Sequence, residues 1–453
     1  MIDFEKFVKY SKPGPRYTSY PTALEFSENF SYNDYLARLE NAPKNRPLSL
    51  YFHLPFCRSA CYFCGCNVIY TSKEENLERY ADFLCREMDI LARHLDCTRV
   101  VEQLHFGGGT PTFFSAALLR KIIAKIRDTF VNFSPTAEIS CEIDPRFLTE
   151  EQMAVLTAGG FNRVSFGVQD FDEQVQKQIH RIQPFEVTQN AVLLARKYGV
   201  KSINCDLIYG LAAQTTQTFE KTLKTALKLG VDRFAVFNYA HVPWIKKSMR
   251  KFDEALLPSP KSKLEMLKMT MDFFTSNGYE MIGMDHYAKP QDELFAALKN
   301  GSLHRNFQGY TTKGGADLIG VGLTSIGEGE DYYAQNFKEL KEYENAIDNG
   351  ILPNFKGLFL TKEDRLRKAV IMSLMANFSL DISKIEAEFE TNFFTHFAKE
   401  LESLKSLEEF VEISDKKIKV TPTGTLLIRN IAMCFDEYMQ KFIGQTQSFS
   451  KTI

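Results

Sequence analysis

From Leu48 onward the chain alternates short apolar runs with longer amphipathic ones. The runs LSLYFH (48–53), VEQLHF (101–106), AEISCEI (137–143), RVSFGVQ (163–169), SINCDLIYG (202–210), DRFAVFNY (232–239) and YEMIGMD (279–285) read as strands, with helical stretches between most of them. Thr149 to Gln152 fits a capping box, and Gly159-Gly160 ends the helix it starts. Six or more strand–helix units predict a parallel sheet, as a partial or full (β/α) barrel, within an α/β fold. Such barrels carry their chemistry at the C-terminal ends of the strands.

The pattern changes at both ends. Residues 1–45 hold KPGPRYTSYPT (12–22) and the start of NAPKNRP (41–47), proline-rich stretches that favour extended or turning backbone, and they read as an arm or substrate cap. The barrel is predicted over 46–355. Over 356–453, Thr361 to Asp364 caps a helix, amphipathic helices follow, and FVEISDKKIKVTPTG (410–424) reads as a hairpin, predicting a smaller, mainly helical domain.

Composition narrows the function classes. With 55 Lys and Arg against 57 Asp and Glu the net charge is −2, so nothing global attracts nucleic acid or a membrane surface. The longest apolar runs are strand-sized, and the first residues, MIDFEKFVKYSK, lack the apolar core of a signal peptide, so a cytoplasmic location is expected. No sustained heptad pattern argues for a coiled-coil oligomer.

Of nine cysteines, Cys57, Cys61, Cys64 and Cys66 cluster in YFHLPFCRSACYFCGCN (51–67), directly after the first predicted barrel strand. The C-x3-C-x2-C spacing of Cys57, Cys61 and Cys64 suits three ligands of a 4Fe-4S cluster, leaving one iron open to another molecule. The alternative is a zinc knuckle, but zinc sites usually pair C-x2-C with a distant second pair or histidines, and none is evident downstream. Cys66 adjoins the cluster loop without fitting the spacing. Gly107-Gly108-Gly109-Thr110-Pro111 follows the second strand, where glycines let backbone amides approach a ligand, although the run alone also suits a plain turn. Glu142 ends a strand, where a buried Glu more often serves in an ion pair. His53 and His241 also follow strands.

The cysteine spacing, with the aromatic Phe63 before the last cysteine, resembles the radical S-adenosylmethionine (SAM) enzymes. A narrower resemblance, to the oxygen-independent coproporphyrinogen III oxidases, runs along nearly the whole chain. It is carried by GPRYTSYPTA (14–23), the cysteine segment, HFGGGTPT (105–112), EIDPR (142–146), FNRVSFGVQDF (161–171), CDLIYGL (205–211), FNYAH (237–241), MDHYAKPQDEL (284–294) and LHRNFQGYTT (303–312).

The resemblance implies an oxidoreductase of haem biosynthesis that converts two propionates of coproporphyrinogen III to vinyl groups, giving protoporphyrinogen IX. It implies Cys57, Cys61 and Cys64 as cluster ligands, with Tyr51, Gly108, Glu142 and Ile326 around the cluster-bound SAM. A second SAM would meet Phe63, Gly109, Thr110, Gln169, Arg181, Asp206 and Ala240. Arg16 and Arg305 are candidates for the propionates, because Arg binds carboxylates bidentately. Ser19, Phe307, Gln308, Cys66 and His53 are further substrate-site candidates. A monomer and an unidentified reductant protein are also implied. The rival readings are a haem chaperone that keeps the cluster loop and a radical SAM enzyme on another tetrapyrrole. Chaperones of this kind typically lack the Cys64–Cys66 pair and the GPRYTSYPT arm, both present here.

Overall fold

The computed structural model describes Phe7, residues 9–442, Phe449 and Thr452; the remaining residues of the predicted arm and of the C-terminal segment lie outside the described residues. The chain divides into two compact units, one of residues 26–266 and 315–359, the other of residues 1–25, 267–314 and 360–453.

In the larger unit the strands lie in the order Asp317–Val321, Leu48–Leu54, Val101–Gly108, Phe133–Ile143, Arg163–Gln169, Ser202–Tyr209 and Arg233–Asn238. Each neighbour pairs in parallel. Apolar side chains alternate along these strands, as in Leu48–Leu54, where Leu48, Leu50, Phe52 and Leu54 are all fully buried on one face and Ser49, Tyr51 and His53 occupy the other. The helices between them begin where the caps predict. Thr149 and Gln152 form a reciprocal capping box ahead of helix Glu150–Ala158, and Gly159 closes it.

Beyond Asp317–Val321 the sheet turns antiparallel through Ile326–Glu328, Tyr332–Asn336 and Asn354–Phe359. The glycines and acids of IGEGEDYY (326–333) hid this hairpin from a search for alternation.

The smaller unit has its own core. Tyr17 and Tyr20 are buried against helix Lys362–Asn377 and the segments that follow it. Burying a large apolar side chain is worth about 1.5–3 kcal/mol, so these two rings bind the arm firmly to this core. The Tyr17 hydroxyl donates to Asp436 Oδ2 (2.8 Å). Thr361 caps Lys362–Asn377 with Asp364 as its box partner, and Val411–Ile413 and Lys417–Val420 form the expected hairpin. The expected strand YEMIGMD is mostly not a strand. Only Glu280–Met281 is extended, paired antiparallel with His286–Ala288. The chain reverses between them at Gly283, where any Cβ would stand 2.1 Å from the Tyr310 hydroxyl.

Candidate active site

The cysteine loop opens where strand Leu48–Leu54 ends. Phe56–Cys57 pairs in parallel with Ile69–Tyr70, which leaves the residues carrying Cys61, Cys64 and Cys66 to loop out between them. The glycine turn after Val101–Gly108 is stitched to this loop by backbone. Gly109 N–H donates to Leu54 O (2.9 Å) and Thr110 N–H to Phe56 O (3.0 Å). A Cβ on Gly109 would lie 2.7 Å from the Pro55 carbonyl oxygen, so the approach requires glycine. Gly108 has φ +110°, and a Cβ there would meet the His53 ring at 2.6 Å. That ring cannot yield easily, being held by the Tyr51 hydroxyl (3.0 Å) and the Asn67 carbonyl (3.0 Å).

Cys57, Cys61, Cys64, Cys66 and Phe63 line one cleft with Gly108, Gly109, Thr110, Glu142, Gln169, Arg181 and Asp206. Burial pushes the Cys57 thiol up to about 12, against the opposing hydrogen bond to Thr110 Oγ1 (3.4 Å). The hydrogen bond from Cys66 pulls Cys64 down to about 7 and correspondingly pushes Cys66 up. Two guanidinium groups face Cys61 Sγ, Arg181 at 3.6 Å and Arg146 at 3.8 Å. Both are tied to Asp144 Oδ2, at 2.9 Å and 2.7 Å. Burial opposes ionisation of Asp144, but the two arginines outweigh it and hold its carboxyl below the usual range.

This donor set fits a cluster. Three thiols line the cleft, and cationic N–H groups are placed to balance the negative charge that thiolates bring. Among the described residues no three His, Cys, Asp or Glu side chains converge on a point that would hold a single ion. Thiols spread around a cavity are instead what a multi-iron group requires, with each thiolate on its own iron.

Two carboxylates complete the cleft. Glu142 Oε2 accepts from Gly108 N–H (3.2 Å), and its Oε1 lies 3.3 Å from His105 Nε2. Burial raises its carboxyl, yet these contacts prevail and hold it below the ordinary value. His105 is itself oriented by Ser140 Oγ (2.6 Å) and stacks on Tyr51 with the rings 14° apart. Asp206 differs. Its oxygens accept from Ser165 Oγ (2.9 Å) and Asn204 Nδ2 (2.8 Å), but burial dominates and pushes it up to about 7.

Not every expected residue reaches the cleft wall. Tyr51 and His53 lie behind the glycine turn, Ile326 sits half-buried in its strand with its carbonyl 2.7 Å from where a Gly320 Cβ would be, and Ala240 is exposed just past Arg233–Asn238. The remaining candidates belong to the smaller unit. Arg16 pairs with Asp285 (3.4 Å), Ser19 is buried, Arg305 lies 4.7 Å over the Tyr310 ring, and Phe307 and Gln308 are half-buried. Asp144, Arg146, His105 and Ser165 escaped the sequence reading. All but Arg146 are polar residues in or directly after a strand, and Asp144 and Arg146 both fall in EIDPR just past the strand end, a signal the strand-end rule could have used. Gln169 has φ +73° at the end of its own strand, strain that marks a position under other constraints.

Residues 51–226 match the Radical SAM superfamily, and residues 360–427 match the HemN C-terminal domain. The oxygen-independent coproporphyrinogen III oxidase of Helicobacter pylori (strain J99 / ATCC 700824) is 57% identical over 457 residues, covering 100% of this chain and 99% of that protein. The protein of the same description from Escherichia coli (strain K12) is 46% identical over 454 residues, covering 100% and 98%. The solved structure of coproporphyrinogen III oxidase (HemN) from Escherichia coli, a radical SAM enzyme, superposes with a TM-score of 0.92 at 46% identity, covering 96% of this chain and 98% of that one. No helix among the described residues is long and apolar enough to cross a membrane.

Proposed function

Since the chain belongs to the oxygen-independent coproporphyrinogen III oxidases, a family of radical SAM enzymes, we propose a role for each residue of its cleft in the family's reaction. That reaction is the oxidative decarboxylation of two propionates of coproporphyrinogen III to vinyl groups in haem biosynthesis, with a 4Fe-4S cluster and SAM as cofactors. When bound, the cluster and SAM supply an electron and the adenosyl radical that removes hydrogen from the propionate β-carbon.

The chain's own groups hold and orient these parts. Cys57, Cys61 and Cys64 ligate the cluster, and Arg146 and Arg181 offset its charge at Cys61. Glu142, kept ionised by His105 and Gly108 N–H, accepts hydrogen bonds from the first SAM, with Tyr51, Gly108 and Ile326 around it. Phe63, Gly109, Thr110, Gln169, Arg181, Asp206 and Ala240 serve a second SAM. Arg16 and Arg305 bind propionates, and Ser19, Phe307, Gln308, His53 and Cys66 shape the substrate site. Residues 1–45 act as an arm or substrate cap, 46–355 as the radical SAM barrel and 356–453 as the C-terminal domain. The protein works as a cytoplasmic monomer with a separate reductant protein.

The observation that carries this reading is the gathering of three thiols, a glycine turn and two differently biased carboxylates at the C-terminal ends of parallel strands. The test is an anaerobic assay of reconstituted protein with coproporphyrinogen III, SAM and a strong reductant, following protoporphyrinogen and 5′-deoxyadenosine. Both products, lost together in Cys61→Ala, support it. Deoxyadenosine without a vinyl product would move the substrate elsewhere, and tight haem binding without turnover would favour a chaperone.

A further inference from the structure

Next to the cysteine loop, residues 244–251 (WIKKSMRK) carry four cations and no acid. The segment is anchored on its inner side. Met249, 2% exposed, packs beneath the turn Lys247–Lys251 and its sulfur accepts from Val242 N–H. Lys246 Nζ donates to the Cys66 carbonyl (2.8 Å), and Lys251 Nζ sits 4.8 Å over the ring of Tyr62. Tyr62, between Cys61 and Phe63, stacks in turn on His180 at 4.9 Å. The basic segment is therefore bolted to the loop that bears the proposed cluster ligands.

Its outer side faces water. Lys247, Arg250 and Lys251 are exposed, and among the described residues no carboxylate pairs with any of them. The acids that follow are occupied, Asp253 as the cap of a short turn and Glu254 with His241 (3.0 Å). Beside the cations stand Trp244 and Ile245, 44% and 63% exposed. Large exposed apolar side chains ringed by cations that no carboxylate neutralises mark a macromolecular contact, with Trp and Arg the residues that most often anchor one. A small anionic ligand would require a concave site instead.

We infer that residues 244–251 form the docking face for an acidic one-electron carrier protein that reduces the cluster. The step is electron transfer alone. The carrier loses one electron, the site gains it, and no bond or proton is exchanged across the surface. The inference rests on the radical SAM reading for the electron's destination, and on the surface itself for the partner's charge. Like-signed cations on a rim act mainly on encounter rate and salt dependence, which sets the assay.

The probe is a purified flavodoxin, an acidic flavin carrier, with the reconstituted full-length protein. Binding is followed by calorimetry and SAM cleavage by deoxyadenosine formation, driven either by reduced flavodoxin or by dithionite. In the double variant Lys247→Glu, Arg250→Glu, flavodoxin binding and flavodoxin-driven cleavage should each fall about tenfold and lose most of their salt dependence. Dithionite-driven cleavage should stay unchanged, which also shows that the variant folds, and the charge-conserving variant Lys247→Arg, Arg250→Lys should behave as the parent. Unchanged flavodoxin binding in the double variant would overturn the inference. So would an equal loss with both reductants, which would place the segment at SAM or substrate, or binding to phosphatidylglycerol vesicles in place of flavodoxin. Charge-dependent flavodoxin binding without deoxyadenosine from either reductant would keep the docking face and sink the radical SAM reading.

Discussion

Glu87 offers a quantitative test of the packing behind the cleft. It is 1% exposed on helix Glu74–Leu91 and accepts from Tyr343 Oη (2.6 Å), Asn336 Nδ2 (2.7 Å) and Gly322 N–H (2.8 Å). Two turns earlier, Tyr80 donates to the His53 carbonyl and accepts from Leu323 N–H, so the helix clamps the turn after Asp317–Val321 to the strand leading into the cysteine loop. Burial outweighs these three bonds and raises the carboxyl from its ordinary 4.5 to about 7. An acid whose folded value is raised stabilises the fold below its unfolded value and loses that contribution as pH rises through the folded one. The full difference is worth about 3 kcal/mol, most of which falls between pH 5 and pH 8. Asp206 and Asp170 are raised too, so the parent protein alone does not isolate Glu87. The Glu87→Gln variant does. Its amide places a donor against donors and lowers stability by about 1–3 kcal/mol at every pH, but cannot titrate. Urea unfolding at pH 5 and pH 8, fitted transition by transition, should show the variant losing about 2–3 kcal/mol less than the parent between the two. Equal losses in both proteins would refute the argument that burial, not hydrogen bonding, controls this group.

Three further outcomes follow from named contacts. Gly108→Ala, at φ +110° and against the pinned His53 ring, should cost at least 1–3 kcal/mol and abolish SAM cleavage, checked by thermal unfolding and deoxyadenosine formation. Asp144→Ala leaves Arg146 and Arg181, 14% and 7% exposed, without their shared carboxylate; a loss of about 3–5 kcal/mol and reduced iron per chain after reconstitution are expected, by denaturation and iron analysis. Thr361→Ala should lower stability by about 1 kcal/mol without changing cofactor loading, since it removes a cap in the smaller unit.

What could be read before the structure divides along a physical line. The proposed cysteine ligands and the glycine turn are local, because one loop bears each and spacing alone expresses what a cluster or a close backbone approach demands. The parallel strands were legible because apolar residues recur at every second position, as the buried Val164, Phe166 and Val168 do in Arg163–Gln169. The hairpin Ile326–Glu328 with Tyr332–Asn336 was not, since its short, glycine-rich strands carry little side-chain pattern. The electrostatic half of the site was hidden for a different reason. Asp144 and Arg146 stand two residues apart in EIDPR and Arg181 lies on a distant segment, and no spacing joins the three until the fold brings both arginines to one carboxylate and one sulfur. That convergence is a matter of register. Tyr51 lies opposite His105, His105 opposite Ser140, Glu142 opposite Ser165, and Gly167 opposite Asp206. Because side chains alternate across a strand, slipping any one of these pairings by a single residue would turn its cleft-facing group to the opposite face of the sheet. The apolar positions that set the register, among them Leu50, Phe52, Phe106, Cys141, Phe166 and Cys205, are all fully buried, and none of these six lines the cleft. They are nonetheless what turns separate polar residues on different strands into one site.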